Sequence, residues 1–317
     1  MPRVLVLGGT GFVGRHVAAT LYARGHQVAV GTRDPRRAAR KLPAQLAGVE
    51  CRELHLDWLL TPQEWRRRIR GFDIVVNAVG ILRERGHETY DRVHHLSPAA
   101  LSRACATLGV RLVHISALGL SSDAHSDFIL SKALGEQAVM KSAADYFIVR
   151  PSLLDGEGGF AARWLRRMAR WPVHFTAAGA AGKIAALNVN DLASAVVWLC
   201  EPPVSLQSRI VELGGTEHRS MAELLAALRA SYRPEPAVHL CMPLWLSVIA
   251  ALLCDLVHFS PYSFGHLELM RKDNVPAENL LPVLLGRPPM PVGAPRAAFR
   301  FRPRTSAVLR DAAGPAS

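Results

Sequence analysis

Lysine is scarce in this chain, at positions 41, 132, 141, 183 and 272 only, yet Lys and Arg together number 38 against 26 Asp and Glu. The net charge of +12 is therefore carried by arginine. Such a balance calls for anionic partners, which leaves open nucleotide phosphates, an anionic membrane surface or an acidic protein. Cysteine is also sparse: Cys51, Cys105, Cys200, Cys241 and Cys254 form no C-x-x-C and no ligand spacing with histidine. Reduced thiols are expected, with no metal site. No apolar run reaches the roughly 20 residues of a membrane span. The longest, Leu240 to Cys254, is broken by Pro243 and closed by Asp255, so it predicts a buried or interfacial helix. No basic and apolar leader precedes Arg3, and the expected setting is intracellular, cytoplasmic or matrix side, at most peripheral to a membrane. Nucleic acid is not an expected partner, because no reader motif is present.

What is there begins with Arg3-Val4-Leu5-Val6-Leu7, a buried-strand run, followed by Gly8-Gly9-Thr10-Gly11-Phe12-Val13-Gly14 and then apolar residues at helical spacing from Arg15 to Arg24. The glycines at 9, 11 and 14 fit G-x-G-x-x-G, and those at 8, 11 and 14 fit a related spacing. That pattern predicts a dinucleotide cradle, in which glycine serves the sharp turn, the close approach to pyrophosphate and the packing of helix on strand. The first turn of the helix adds free N–H groups and the positive end of its dipole. A second strand, His26 to Thr32, ends in Arg33-Asp34. Arg33 suits a ribose 2′-phosphate, with Arg15 as a second hand, and Asp34 suits a 2′-hydroxyl. The balance favours NADP(H) over NAD(H).

Further strands are expected at 49–54, 72–77 and 110–115, with helices at 62–69 and 87–108 between them. Asp57 either reaches an adenine edge or caps the next helix. Ala78-Val79-Gly80 forms a small-residue turn against the cofactor, and Ser116 follows the fifth strand. Strands alternating with helices predict an α/β fold, a Rossmann-type doubly wound parallel sheet with a small C-terminal α/β lobe. The loop sites then converge outside the carboxyl ends of the strands.

The run Phe128-Ile129-Leu130-Ser131-Lys132-Ala133-Leu134-Gly135-Glu136 resembles the extended short-chain dehydrogenases/reductases. Asn77 to Leu82, His114 to Gly119, Arg150-Pro151-Ser152, Val189 to Ala193, Glu212 to Gly215 and Leu269 to Val275 narrow the similarity to the atypical group containing the NDUFA9-type accessory subunit of respiratory complex I. That resemblance implies a nicotinamide dinucleotide site and a tyrosine and lysine four residues apart on one helix face. The lysine holds the ribose and lowers the tyrosine's pKa, and the tyrosine trades a proton with substrate. Here Lys132 is present, but Phe128 stands in the tyrosine's place. The family's catalytic hydroxyl position falls at Leu118, with Ser116 before it and Ser121 after it. The expectation is a protein that holds NADP(H) without the usual turnover, in a structural, assembly or sensing role of respiratory or quinone metabolism. The rival is an oxidoreductase or epimerase on a small carbonyl or isoprenoid-like substrate, with Ser116, Ser121, Tyr90 or His125 as its acid.

The expected organisation is a nucleotide core over 1–152 that includes Pro151 at the cofactor wall, a lobe over 153–286, and a Pro/Arg-rich tail over 287–317. In the lobe, helices are expected at 160–171, 221–230, 244–259, 267–272 and 277–285. Strands are expected at 185–189 and 209–213, and Asn190-Asp191 is read as a helix cap. Arg163, Arg166, Arg167 and Arg170 beside Trp164 and Trp171, together with the tail, make a membrane-associated protein complex or an anionic membrane surface the candidate partners.

Overall fold

The computed structural model describes residues 1–178, 180–201, 206–257 and 262–292. The first six strands are β1 (Arg3–Leu7), β2 (Gln27–Thr32), β3 (Glu50–Glu53), β4 (Ile74–Asn77), β5 (Arg111–Ile115) and β6 (Tyr146–Pro151). Between them run α1 (Phe12–Ala23), α2 (Pro35–Lys41), α3 (Pro62–Ile69), α4 (Ser97–Leu108) and α5 (Asp127–Ser142). Beyond β6 come β7 (Leu154–Asp155), α6 (Phe160–Ala169), β8 (Val173–Ala177), β9 (Leu187–Asn188), α7 (Val189–Cys200), β10 (Ile210–Leu213) and α8 (Met221–Ala230). The last elements are β11 (Val238–Met242), α9 (Leu244–Val257), α10 (Phe264–Met270) and α11 (Leu281–Leu285).

Seven strands form one parallel sheet in the order β10-β6-β5-β4-β1-β2-β3. A parallel strand covered on both faces needs apolar residues at every position. β1 meets this after Arg3, and β4 does so up to Asn77, which is buried but polar. Polar β3 takes the edge. Alternation sends Val4 and Val6 into the layer shared with α1, α7 and α11, while Leu5 and Leu7 enter the layer shared with α3 and α4. The order reverses between β1 and β4, whose ends Leu7 and Asn77 are paired in register. That reversal opens the crevice in which such sheets take ligands.

Several expectations need correction. The helix read from residue 87 starts later, and its first stretch, Asp91–Leu96, is wound as a π-helix before α4. Pro98 explains this, since it has no N–H to give to the carbonyl four residues back and its ring crowds that carbonyl. The freed His94 carbonyl instead faces α5, where a Cβ at Gly135 would stand 1.9 Å from it. The cap of α7 is Asn188, whose side chain accepts from the Asn190 N–H at 2.9 Å, rather than Asn190-Asp191. Asp191 is fully buried and takes Arg287 at 2.5 Å and the Met290 N–H at 2.6 Å. The strand expected at 185–189 contracts to β9, and the parallel ribbon of β8 with β11 was not foreseen. The capping box of Ser220 and Glu223 on α8 stands as expected. Positions 258–261 of the apolar segment, and the tail from 293 onward, lie outside the described residues.

Candidate functional site

At the crevice the chain leaves β1 through Gly8, whose φ of +70° is open to glycine and costly to side-chain-bearing residues. The Gly8 and Gly9 N–H groups both donate to the Gly31 carbonyl, at 3.0 and 3.3 Å, which ties the loop to β2. A Cβ at Gly14 would stand 2.3 Å from the Gly8 carbonyl oxygen, so glycine there is what lets α1 close on the loop. Gly11 precedes α1 with no side-chain cap and no acid in the first turn, leaving the leading N–H groups for an anion. The arrangement of Thr10 to Gly14 fits the pyrophosphate of a dinucleotide.

Beside the loop, Thr10 Oγ1 lies 3.2 Å from Thr32 Oγ1. Arg33 is mostly exposed and ion-paired with Glu88. Asp34 is engaged as the cap of α2, accepting from the Arg37 N–H at 3.1 Å. Arg15, read as a second hand to Arg33, is drawn elsewhere: its Nη2 donates to the Glu157 carbonyl at 2.8 Å. The helix-cap reading of Asp57 is also corrected, because Thr61 and Glu64 cap α3 with a complete capping box. Asp57 is buried, and its carbonyl accepts from Arg92 at 3.1 Å.

Across the crevice, Asn77 Oδ1 accepts from the Val79 N–H at 3.2 Å and shapes the Ala78-Val79-Gly80 turn. Asn77 Nδ2 donates to His114 Nδ1 at 3.1 Å. Burial, followed by the Lys132 charge, lowers the His114 pKa to about 3, so this ring is neutral with its proton on Nε2. His94 is held well below its ordinary pKa mainly by burial. Its Nε2 accepts from the Ile81 N–H at 3.1 Å, which leaves Nδ1 to donate to Ser131 Oγ at 3.1 Å. The Ser131 hydroxyl then donates to the Phe128 carbonyl at 3.2 Å. The π-wound turn thus turns His94 into a strut between the β4 exit and α5.

Lys132 lies near the Gly80 backbone, where a Cβ would stand 3.7 Å from its Nζ. Burial lowers its pKa to about 8, partly opposed by Glu136. One turn earlier Phe128 is 9% exposed and ringed by aromatics. Tyr90 and His94 meet it edge-on at 5.7 and 5.6 Å, and His266 of α10 stacks on it at 5.5 Å. His266 is half-buried, and desolvation lowers its pKa to about 4, so its imidazole is neutral. Ser263 Oγ accepts from the His266 backbone N–H at 3.1 Å and lies 2.6 Å from the ring's Nδ1, a contact in which either atom can donate.

Among the side chains read as alternative acids, Ser116 Oγ is buried at the β5 exit without a hydrogen-bond partner among the described residues. Tyr90 donates to the Leu82 carbonyl at 2.9 Å and stands beside Phe128. Ser121 caps a turn at the Asp123 N–H, and His125 is largely exposed against Glu268. Pro151 closes β6, its carbonyl accepting from the Leu118 N–H at 3.0 Å. Sequence reasoning missed His94, His266 and Glu88, and it missed Glu268, which accepts from the His125 and Ser126 N–H groups at 2.9 and 3.0 Å at the start of α5. Asn274 lay in a quoted motif, but its role appears only here. Its Nδ2 donates to the Leu118 carbonyl at 3.0 Å and it receives Ser152 Oγ at 2.7 Å, tying the β5 and β6 exits together.

The sequence pattern of the family described as NAD(P)H-binding matches residues 8–166, half of the chain. A ceramide reductase of Caulobacter vibrioides is 27% identical over 202 residues, 63% of this chain and 62% of that protein. The mitochondrial NADH dehydrogenase (ubiquinone) 1 alpha subcomplex subunit 9 of Dictyostelium discoideum is 27% identical over 221 residues, 69% of this chain and 61% of that one. The chain thus matches less than two thirds of the length of these relatives. The fold is that of MoeE5 in complex with UDP-glucose and NAD, with a TM-score of 0.63 at 18% identity, covering 91% of this chain and 94% of that one.

Proposed function

The chain belongs to the NAD(P)H-binding family, with the fold of the extended short-chain dehydrogenases/reductases, and we propose that it holds NADP(H) without turning over a substrate by the family's tyrosine route. In this reading the role is structural, assembly or redox-sensing, in the respiratory chain or quinone metabolism. The observation that carries it is the Phe128 ring, packed among Tyr90, His94 and His266 where a proton-trading phenol would be needed. A benzyl ring has no proton to give. Lys132, one turn on, keeps the means to bind ribose hydroxyls.

The dinucleotide rests its pyrophosphate on Gly8 to Gly14, its adenosine end by Arg33 and Asp57, and its nicotinamide end by Ala78 to Gly80, Ser116, Lys132 and Pro151. Preference for NADP(H) draws support from Asp34, which is committed to the α2 cap, and from Arg33, whose partner Glu88 a 2′-phosphate would replace. Kinship with the complex I subunit of Dictyostelium discoideum supports the non-catalytic role. The test is to denature freshly purified protein, identify released nucleotide by mass spectrometry, and titrate the emptied protein with NADPH and NADH. Co-purified NADP(H) that added carbonyls or quinones do not oxidise is the expected result. Steady turnover would sink the holding role, and failure to bind either nucleotide would sink the cofactor reading.

One arrangement favours a second reading, an active reductase. His266 lies against the Phe128 ring as a neutral imidazole, and in the tautomer with its proton on Nε2 it can polarise a carbonyl by hydrogen bonding. Kinship with a ceramide reductase points to a carbonyl or amide-bearing lipid as substrate. A His266→Phe change that abolished turnover while nucleotide affinity stayed intact would establish it.

A further inference from the structure

Helix α9 is inside out. A helix on a water-facing protein buries its large apolar stripe and shows its polar one. Here Ser247 and Ala251 are fully buried, and Asp255 is turned inward to Arg83 at 3.0 Å. The outward stripe is Trp245, Ile249, Leu252, Leu253 and Leu256, at the i, i+4, i+7, i+8, i+11 spacing, with Trp245 65% and Leu256 75% exposed. The only charge on the helix is thus neutralised on its protein side, and the outer face carries none.

The apolar surface does not stop at the helix. β11 leads into α9 through Pro243, and its Val238 and Leu240 pair in register with Val173 and Phe175 of β8. Alternation puts these four on one face of the ribbon, and Val238, Leu240 and Phe175 are exposed. α6, which precedes β8 in the chain, carries Arg163 and Arg167 four residues apart, with Arg170 at its C-cap over the Tyr232 ring at 4.6 Å and Arg233 after α8. Arg271 and Lys272 follow α10, which packs on α9. All six cations are exposed, and no ion pair joins any of them to an acid among the described residues.

We propose that α9 lies in the interface plane of an anionic lipid bilayer, its outward stripe among the acyl chains and the flanking cations at the headgroups. Its 14 residues, about 21 Å at the helical rise, cannot cross a hydrocarbon core of roughly 30 Å. An uncharged apolar stripe, a tryptophan at one end and flanking cations are the features of a helix that lies flat in the interface. A protein partner would account for the stripe but gives no reason for the six exposed cations, which face no acid among the described residues. Docking is mechanically joined to the candidate site. Asp255 accepts from the Phe264 N–H of α10 at 3.0 Å, and the same helix stacks His266 on Phe128. A ligand of the Phe128 end therefore meets the protein close to the lipid surface.

The test is flotation of the full chain with phosphatidylcholine vesicles, with and without phosphatidylglycerol. Binding is expected with phosphatidylglycerol and weakens as salt rises. It should fall by more than about tenfold in L252E/L256E, and by a smaller factor in R167E/R170E. Because a substitution can disturb folding, brominated acyl chains supply a second readout on the unaltered protein. Its tryptophan emission should be quenched, and W245F should lose much of that quenching. A chain that stays off anionic vesicles overturns the proposal. So does lipid-free dimerisation that L252E/L256E dissolves, which would assign the stripe to a second copy. Neither result touches the nucleotide reading, which the mass-spectrometric assay tests separately.

Discussion

The two ends of the crevice are built from different materials. The loop end is backbone: Gly8 and Gly9 donate to Gly31, Gly14 presses on Gly8, and α1 offers uncapped N–H groups. The Phe128 end is side chain, a cluster of Tyr90, His94, Phe128, Lys132 and His266 drawn from three helical segments. Backbone geometry tolerates almost no change at its tight contacts. A side-chain cluster can exchange a phenol for a benzyl ring and still pack. That is how a chain can keep a binding site while its proton chemistry is replaced.

The largest effect is expected at the loop end. Gly14→Val would force branched carbons against the Gly8 carbonyl, which already stands 2.3 Å from where a Cβ would be. Nucleotide binding should be lost by calorimetry, with the far-UV circular dichroism of the sheet retained. Binding that survived would show that the cradle is not the site. At the other end, Phe128→Tyr restores a phenol four residues before Lys132. NADPH oxidation by a carbonyl should rise by about 10²-fold or more, the usual worth of a positioned acid. No rise, with nucleotide still bound, would mean that more than the phenol has been lost.

Lys132→Met sharpens the comparison through pH. Burial lowers the Lys132 pKa to about 8 from its ordinary 10.5. Between those values the unfolded chain keeps a proton that the folded chain has released, so stability rises with pH across that window. Below pH 8 the cost of burying the charge is fully present. The methionine variant should therefore be more stable at pH 7 and flatter between pH 8 and 10.5 in urea titrations, and it should bind nucleotide about tenfold more weakly. A pH profile identical to that of the unaltered chain would remove the desolvated Lys132 cation from the account. The smallest change is expected from Arg33→Ser, which should lower the NADPH to NADH affinity ratio by about tenfold and leave NADH binding alone. An unchanged ratio would place the 2′-phosphate elsewhere.

Much of the architecture was legible because it rests on local pattern. Strand runs, the glycine spacing and the Thr61 and Ser220 capping signals each lie within a few residues of what they govern. Reading failed where neighbours in space are distant in sequence. His266 lies more than a hundred residues from Phe128, and nothing in its own segment marks it as a wall of the site. The π-wound entry to α4 was hidden for a different reason. Pro98 announces an interruption, but whether the helix kinks, stops or widens is settled by the α5 backbone packed against it.

By itself, then, the sequence determined the order of the strands along the chain, the glycine cradle between β1 and α1, and the absence of a phenol at position 128. These depend on backbone conformation and residue chemistry, which each short segment carries with it. The tertiary structure alone decided that Arg15 and Arg33 part company, and that α9 turns its large side chains outward. A charge takes the partner that packing brings within reach. An apolar helix shows whichever face its neighbours do not cover.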